Sequence, residues 1–311
     1  MVGGKMTNKV KHLGVLIFFF SSIFNFSIAQ EAEKVVDING KKIFCKTIGA
    51  GEPIVIVHGG PGLAHDYLYE PFKQLCNNYK LIFYDQYGCG RSDEFKEGET
   101  VTMEMMVDDL EGIRKEFKLE KMNLVGQSWG ALIALNYIFK YPERVKNLIL
   151  LEPAPGSNEY IQNVQQTIMS RLSKEEIDRL VNISQSPDLR TNPELFREFM
   201  NIRMKTYFFD LSNATKKNFN YFDSERIKKF FASSAIFGPY LMNYNLYDRM
   251  KNINCPTLII HGDYDVIPTE AIERMGREIK NAEVHVVKEC GHFVHIEKPE
   301  FYFNTIRSFV K

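Results

Sequence analysis

The chain has 311 residues, of which 39 are basic and 39 acidic, and 44% of its residues are hydrophobic. The balanced charge excludes the basic excess that marks a nucleic-acid-binding domain, and no internal apolar run is long enough to span a bilayer. A chain of this length and composition can fold around a single α/β core. We therefore expect a globular protein with no nucleic-acid partner.

The first 29 residues have the layout of a secretory signal peptide. Three lysines within the first eleven residues precede an apolar core at residues 13–23, and small residues at 27 and 29 offer a cleavage site before Gln30. An uncleaved membrane anchor is the alternative, but the apolar core is short for a membrane span. The pattern predicts export to the periplasm or the extracellular space.

Cleavage changes the charge of the protein only slightly. It removes three lysines and no acid, which leaves 36 basic side chains against 39 acidic ones. We therefore expect a soluble, mildly acidic mature protein with no stable membrane insertion. The five cysteines are scattered without a metal-ligand spacing, so we interpret them mainly as small buried apolar residues. Export would permit disulfides, although an odd number leaves at least one thiol free.

Short apolar strands alternate with helical segments along most of the chain. Asn39-Gly40 predicts the tight turn of a hairpin at residues 35–46. Further strands are predicted at 53–57, 81–84, 121–125, 145–151, 257–260 and 284–287, and helices at 101–117, 131–138 and 299–310. This alternation predicts an α/β fold, in which a mostly parallel sheet carries helices on both faces.

Residues 156–247 break this alternation. The segment is rich in Asn, Ser, Phe and Tyr, contains helical stretches such as residues 174–182, and has no convincing strand. We expect a helical cap that is inserted after the sixth strand of the core. The predicted division is therefore a core of residues 30–155 and 248–311 and a cap of residues 156–247.

The pentapeptide GQSWG at residues 126–130 lies between a predicted strand and a predicted helix. A Gly-x-Ser-x-Gly sequence at such a turn is a nucleophile elbow, in which a strained backbone presents the serine Oγ above the sheet. Glycine is needed at both ends because a side chain there would collide with the neighbouring strand or helix. Ser128 is therefore the predicted nucleophile.

A serine hydroxyl needs a histidine that takes its proton and a carboxylate that orients the histidine. In α/β-hydrolases the acid and the histidine follow the serine along the chain. The loop after the strand at 257–260 contains two candidate acids, Asp263 and Asp265. We favour Asp265, which lies deeper in the loop, whereas Asp263 follows the strand almost directly and can cap a turn.

The loop after the last predicted strand contains His292, and a loop at that place can reach the serine. His295 is expected at or near the start of the following helix, and His58 and His261 are expected to be structural histidines at strand ends. The order of Ser128, an acid and His292 along the chain is that of the α/β-hydrolases. His292 is therefore the predicted general base.

The oxyanion of a tetrahedral intermediate needs hydrogen-bond donors. One donor is the backbone N–H of Trp129, the residue after the nucleophile. The second is expected from the glycine-rich turn HGGPG at residues 58–62, which follows the first inner strand.

Five motifs together resemble those of the proline iminopeptidases, also called prolyl aminopeptidases. They are HGGPG at 58–62, DQYGCGRSD at 85–93, GQSWG at 126–130, GDYD at 262–265 and GH at 291–292. The resemblance covers nearly all of the predicted core and is weak in the cap. It implies an α/β-hydrolase that needs no metal and no organic cofactor. The site residues that it implies are a triad of Ser128, Asp265 and His292 and oxyanion donors at Gly60 and Trp129.

The sequence departs from the family's pattern in two places. Tyr87 stands where the family often has arginine. The family's aminopeptidases hold the substrate α-amine with cap glutamates, and one of these lies shortly before the strand that carries the acid loop. In this chain no acidic residue lies between Glu225 and Asp248. No motif places the other cap acids in the site, namely Glu159, Glu175, Glu194 and Glu198.

The predicted function is that of a secreted serine hydrolase that releases N-terminal residues, often proline, from small peptides. An esterase, lactonase or amidase whose cap selects an apolar acyl group is an alternative on the same scaffold, and a non-catalytic binding protein is another. A dehalogenase or an epoxide hydrolase is disfavoured, because those relatives carry Asp where this chain has Ser128.

Overall fold

The computed structural model describes residues 1–4, 31–216 and 220–310. The predicted signal peptide, apart from residues 1–4, lies outside the described residues. Within them, no helix combines the length and the apolar character that a membrane span requires. All five cysteines carry free thiols, and Cys45, Cys89 and Cys290 are buried.

Eight strands of the described chain form one sheet. They are β1 (Ala32–Ile38), β2 (Lys41–Ile48), β3 (Glu52–Val57), β4 (Tyr79–Tyr84), β5 (Met122–Gln127), β6 (Val145–Leu151), β7 (Thr257–Gly262) and β8 (Ala282–Val287). Their order in the sheet is β1-β2-β4-β3-β5-β6-β7-β8. The β1–β2 and β2–β4 pairs are antiparallel, and all other neighbours are parallel.

Helices follow most of the strands. They are α1 (Asp66–Phe72), α2 (Met103–Glu116), α3 (Trp129–Lys140), α4 (Ile161–Ser170), α5 (Lys174–Gln185), α6 (Pro193–Lys205), α7 (Ser224–Leu241), α8 (Tyr247–Met250), α9 (Thr269–Glu278), α10 (Val294–Glu297) and α11 (Pro299–Phe309). A mostly parallel sheet flanked by helices confirms the predicted α/β-hydrolase fold class.

Both faces of the sheet are covered, because side chains of a strand point alternately to its two faces. In β3, Val55 and Val57 belong to the apolar cluster that also contains buried side chains of α2 and α3. Ile54 and Ile56 belong to the cluster that contains buried side chains of α1 and α11. All four β3 side chains are buried, so the continuous apolar run in the sequence reflects a strand with two covered faces.

The predicted elements agree with the observed ones to within a few residues. The helix predicted from residue 101 begins at Met103, because the Oγ1 of Thr102 accepts a hydrogen bond from the N–H of Met105 and caps the helix. The sequence analysis did not predict α1 or α9. Pro71 lies inside α1, and a proline at such a position in a sequence normally argues against a helix.

The chain between β6 and β7 forms helices α4–α8 and, among its described residues, no strand. One antiparallel bridge joins Ser157 to Asn245 at the base of this segment. The segment has its own apolar cluster, in which Phe196, Met200 and Ile227 are buried. The helices lie where the cap is expected, and the division at residues 156–247 stays a prediction.

A buried carboxylate joins the loops that follow β3 and β4. Asp85 Oδ1 accepts hydrogen bonds from the backbone N–H of His65 (3.0 Å) and from its Nδ1 (2.7 Å), and Oδ2 accepts one from the N–H of Arg91 (2.8 Å). Burial acts to raise the pKa of Asp85, but the charge of His65 and the hydrogen bonds outweigh it, so the pKa is lowered. The ionised carboxylate therefore stabilises the fold beside the loops that lead to the site.

The substitution Asp85→Asn tests this role, since it removes the charge and keeps the shape. Because the folded-state pKa is lowered, the stabilisation is present above the unfolded-state pKa of Asp, about 4, and is lost as pH falls through the folded value. We expect Asp85→Asn to lower the free energy of unfolding by about 3 kcal/mol at neutral pH.

Urea unfolding measures this difference at a series of pH values. The gap between wild type and variant shrinks as the solution becomes more acidic than the unfolded-state pKa. Glu97→Gln changes an exposed carboxylate and serves as the control. A gap that stays constant with pH contradicts the assignment.

Candidate active site

Ser128 lies at the sharp turn between β5 and α3. Its φ of 53° and ψ of −118° place it in a region that costs free energy for any residue but glycine. Its N–H donates to the carbonyl of Leu151 (3.0 Å), and its carbonyl accepts from the N–H groups of Ala131 (3.0 Å) and Ala154 (3.1 Å). These bonds hold the strained backbone, and Ser128 is the one residue of the pentapeptide that is only partly buried.

The two glycines of the pentapeptide are required by close backbone contacts. A Cβ atom on Gly126 would lie 2.7 Å from the Cα of Ala131. A Cβ atom on Gly130 would lie 2.2 Å from the carbonyl oxygen of Val57. Since the contacted atoms belong to the backbone, a side chain at either position would push α3 away from the sheet.

The structure brings His292 and Asp265 into contact. His292 Nδ1 lies 2.8 Å from Asp265 Oδ2, and both side chains are buried. Asp265 Oδ1 accepts a hydrogen bond from the N–H of Ile267 (3.1 Å). The backbone N–H of His292 donates to the carbonyl of Tyr207 in the cap (2.7 Å). The acid loop therefore contacts the imidazole, and the segment that contains Tyr207 holds the backbone of His292.

Asp263, the competing acid, has a different environment. Its N–H donates to the carbonyl of Val287 (2.9 Å), and its Oδ2 lies 3.4 Å from Lys288 Nζ. Asp263 thus faces the end of β8, and the carboxylate in contact with His292 is that of Asp265.

The carboxylate of Asp265 lies between two imidazoles. Its Oδ2 is 3.4 Å from His261 Nδ1 as well as 2.8 Å from His292 Nδ1. Burial acts to raise the pKa of Asp265, but its electrostatic interactions with the His292 and His261 rings and its hydrogen bonds outweigh burial and lower the pKa. An ionised acid keeps the proton on His292 Nδ1 and leaves Nε2 to accept one.

The turn at residues 58–62 supplies one unengaged glycine N–H. The N–H of Gly59 donates to the hydroxyl of Tyr67 (2.7 Å). Gly60 has a φ of 138°, a conformation that favours glycine. Among the described residues, neither the N–H of Gly60 nor that of Trp129 has a hydrogen-bond partner. These two groups are the predicted oxyanion donors.

Side chains connect this turn to the residue after the serine. Trp129 Nε1 donates to Gln86 Oε1 (3.0 Å), and Gln86 Nε2 donates to the carbonyl of His58 (2.7 Å). The N–H of Gln86 donates to His58 Nε2 (3.1 Å), so the His58 ring donates from Nδ1 to the carbonyl of Gly59 (2.8 Å). Burial lowers the pKa of His58, which keeps the ring neutral. The motifs at residues 58–62, 85–93 and 126–130 are thus joined in one buried network.

A second network behind Ser128 was not predicted from the sequence. The hydroxyl of Tyr67 donates to Gln127 Oε1 (2.6 Å), and Gln127 Nε2 lies 3.5 Å from Glu152 Oε2. Glu152 is fully buried and has a φ of 40° directly after β6. The one sequence signal for it is an acidic residue that immediately follows the apolar run at residues 148–151.

A cavity of about 330 Å³ is lined by both Ser128 and His292. Its volume is at the lower end of the range of small-molecule pockets, about 300–1,000 Å³. The lining residues within the described part of the chain include one arginine, Arg203, and no acidic residue. Most of the wall is apolar, and the cap contributes Phe199, Met200, Met204, Tyr207, Phe230 and Phe231 to it.

The cap acids named in the sequence analysis lie away from this cavity. Glu175 and Glu194 are exposed. Others pair with cations, as in Glu159 with Arg274, Glu198 with Arg179 and Glu225 with Lys229. None of them lines the cavity.

Tyr87, which stands where the resembling family often has arginine, contributes to packing. Its ring makes an edge contact with Phe95 at a centroid distance of 5.0 Å, and its hydroxyl donates to Glu99 Oε2 (2.5 Å). Tyr87 is buried and is not among the residues that line the cavity.

One group of side chains in the described part of the chain has donor atoms close enough for a metal ion. The ligand atoms of His65, Asp66 and Asp85 lie within 4.8 Å of one another. Both carboxylate oxygens of Asp85 already accept hydrogen bonds. The closeness of the three side chains is therefore explained by the hydrogen bonds with which Asp85 joins two loops.

Comparison with known proteins places the chain in a family. The model of the alpha/beta hydrolase fold family matches residues 52–299, most of the chain. A proline iminopeptidase of Saccharolobus solfataricus is 26% identical over 309 residues, with 94% of this chain and 96% of the relative covered. These matches confirm the resemblance to the proline iminopeptidases that the five motifs indicate.

Solved structures share the architecture. The crystal structure of a proline iminopeptidase from Mycobacterium smegmatis has a TM-score of 0.66 and 18% identity, with 89% of this chain and 97% of that chain covered. An esterase from Exiguobacterium antarcticum has a TM-score of 0.63 and 22% identity, with 89% and 98% covered. The chain belongs to the alpha/beta hydrolase fold family, as a hydrolase similar to the proline iminopeptidases.

Proposed function

We propose that the chain is a serine hydrolase that releases N-terminal residues, with proline preferred, from small peptides. The observation that carries this proposal is the contact of 2.8 Å between His292 Nδ1 and Asp265 Oδ2 beside a cavity that Ser128 also lines. The order of the three residues along the chain is that of the family.

In the proposed reaction, Ser128 Oγ attacks the carbonyl carbon of the scissile bond and transfers its proton to His292 Nε2. Asp265 stabilises the imidazolium that forms. His292 then gives this proton to the departing nitrogen, and the acyl group stays on Ser128 as an ester. A water molecule, which loses its proton to His292, hydrolyses the ester and regenerates the serine.

Each tetrahedral intermediate carries a negative oxygen, and the N–H groups of Gly60 and Trp129 are the proposed donors to it. The network through Gln86 fixes the separation of these donors before the substrate binds. Donors that need no rearrangement stabilise the developing charge most effectively. The N-terminus of α3 adds its positive dipole end at the same place.

The choice of a peptide N-terminus as substrate rests on relatives. Both the relative from Saccharolobus solfataricus and the neighbour from Mycobacterium smegmatis are named proline iminopeptidase. The small cavity with aromatic walls suits a compact ring such as that of proline. In this proposal the cap at residues 156–247 selects the substrate, and the signal peptide at residues 1–29 exports the enzyme.

An esterase, lactonase or amidase that takes an apolar acyl group is the second candidate. A protonated α-amine is best held by a carboxylate, and the residues that line the cavity include no acidic side chain. The esterase from Exiguobacterium antarcticum has the same fold. The composition of the cavity wall therefore favours a substrate without a free amine.

The substitution Ser128→Ala tests the hydrolase proposal. We expect it to lower kcat for any substrate by about 10⁴-fold or more, because the acyl-enzyme cannot form. Circular dichroism checks that the fold is kept. A fluorophosphonate probe labels Ser128 in the wild type and not in the variant, and a wild type that takes up no probe supports a non-catalytic binding protein instead.

The two adjacent acids provide a matched pair of variants. We expect Asp265→Asn to lower kcat by about 10³–10⁴-fold, since a neutral amide no longer holds the reactive tautomer of His292. Asp263→Asn leaves kcat within about threefold of wild type, because that carboxylate faces Lys288. Steady-state kinetics on one chromogenic substrate measures both, and equal losses in the two variants contradict the assignment of the acid.

A substrate panel separates the two candidate functions. It contains prolyl and alanyl p-nitroanilides, the same anilides with a blocked N-terminus, and short p-nitrophenyl esters. An iminopeptidase cleaves the free prolyl anilide and loses activity when the amine is blocked. A wild type that cleaves only the esters or the blocked anilides rules out the peptidase in favour of the second candidate.

A further inference from the structure

Among the described residues of the cap, Arg203 is the one charged side chain that lines the cavity over Ser128. Arg203 lies in the last turn of α6, and Met200 and Met204 of the same region form part of the cavity wall. The guanidinium carbon lies 5.5 Å from the centroid of the Phe199 ring. A partly buried cation is therefore located in an otherwise apolar substrate cavity.

The guanidinium of Arg203 is unpaired within the described residues, where it takes part in no ion pair and donates no hydrogen bond. Several other cations of the cap are paired with acids. The pairs are Arg179 with Glu198, Lys205 with Glu176, Arg226 with Asp66 and Lys229 with Glu225. Lys205, two residues after Arg203, is paired with Glu176, whereas Arg203 and Arg197 of the same helix are in no ion pair within the described residues, and of these two arginines only Arg203 lines the cavity.

An unpaired guanidinium in apolar surroundings needs an acceptor. It carries five N–H donors, and leaving them without acceptors away from water costs free energy. Among the described residues no acidic side chain lines the cavity, so no protein carboxylate there neutralises the guanidinium, and a ligand can supply the partner of opposite charge. A carboxylate suits this role best, because it accepts two parallel hydrogen bonds from the planar guanidinium.

Arg203 is close in the chain to a residue that contacts His292, and it lines the same cavity as the reacting groups. Tyr207, four residues later, contacts the His292 ring at a centroid distance of 5.2 Å, and its carbonyl accepts the His292 N–H (2.7 Å). Both Arg203 and Tyr207 line the cavity together with Ser128. A ligand whose carbonyl reaches Ser128 thus occupies the same small cavity as the guanidinium.

We propose that Arg203 binds a carboxylate group of the substrate and so selects anionic substrates for hydrolysis. This inference rests on the proposed hydrolase function of the same cavity. The carboxylate has two sources, the C-terminus of a dipeptide or the far end of an acyl group. In either case Arg203 fixes the substrate by a charge-assisted contact, while the apolar wall packs against the rest of it.

Two matched substrate pairs test this role and distinguish the sources. The first pair is prolylglycine and prolylglycinamide, which differ in the C-terminal carboxylate. The second pair is the p-nitrophenyl monoester of glutaric acid and p-nitrophenyl pentanoate, which differ in the carboxylate at the end of the acyl chain. The variants are Arg203→Gln, Arg203→Lys and, as the control, Arg197→Gln on the same helix and outside the cavity.

We expect wild type to prefer the carboxylate member of at least one pair. Arg203→Gln lowers kcat/KM for that member by about 10–100-fold, the worth of a charge-assisted hydrogen bond, and does so mainly through KM. The uncharged member changes by less than about threefold. Arg203→Lys keeps part of the preference, and Arg197→Gln keeps all of it. The pair that responds identifies the source of the carboxylate.

A binding measurement that needs no turnover completes the test. Hexanoate slows fluorophosphonate labelling of Ser128 in the wild type, hexanamide does so less, and Arg203→Gln removes the difference. Wild type that labels normally but shows no carboxylate preference in kinetics or in protection overturns the role of Arg203. Wild type that takes up no probe and cleaves no substrate overturns the proposed hydrolase function itself.

Discussion

The close approach of three backbone segments around Ser128 is the constraint on which the rest of the structure depends. A φ of 53° at Ser128 is unfavourable by itself, and it persists because Gly126 and Gly130 allow α3 to contact β5 and β3. The buried apolar face of α3 compensates for this strain. The same geometry raises Ser128 above the carboxyl ends of the strands, where the loops after β3, β7 and β8 meet.

The loops around this turn are held by buried polar contacts rather than by apolar packing alone. Gln86 joins the indole of Trp129 to the turn that begins at His58, and the ionised Asp85 joins the same region to His65. Each contact is buried, so it is lost only at the cost of an unsatisfied polar group. Asp85 and Gln86, which follow β4, therefore support the turn around Ser128, although neither residue lines the cavity.

The strand ends and the helices between β6 and β7 contribute different parts of the cavity. Ser128, Asp265 and His292 follow the ends of β5, β7 and β8, in a fold that an esterase and an iminopeptidase share. The cap forms the wall that a substrate meets, and here that wall is aromatic, lacks acidic residues and contains Arg203. In the proposed function, substrate choice therefore depends on the helices between β6 and β7.

The sequence by itself determined the features whose signals are local. Neighbouring residues alone are enough to predict the apolar strands, the Asn39-Gly40 turn and the elbow at residues 126–130. The sheet, its class and the position of the serine could therefore be predicted. Only the tertiary structure decided that Asp265 rather than Asp263 contacts His292 and that Arg203 lines the cavity. These contacts join residues far apart in the chain, and their geometry depends on how separate loops and cap helices pack together, which no local pattern specifies.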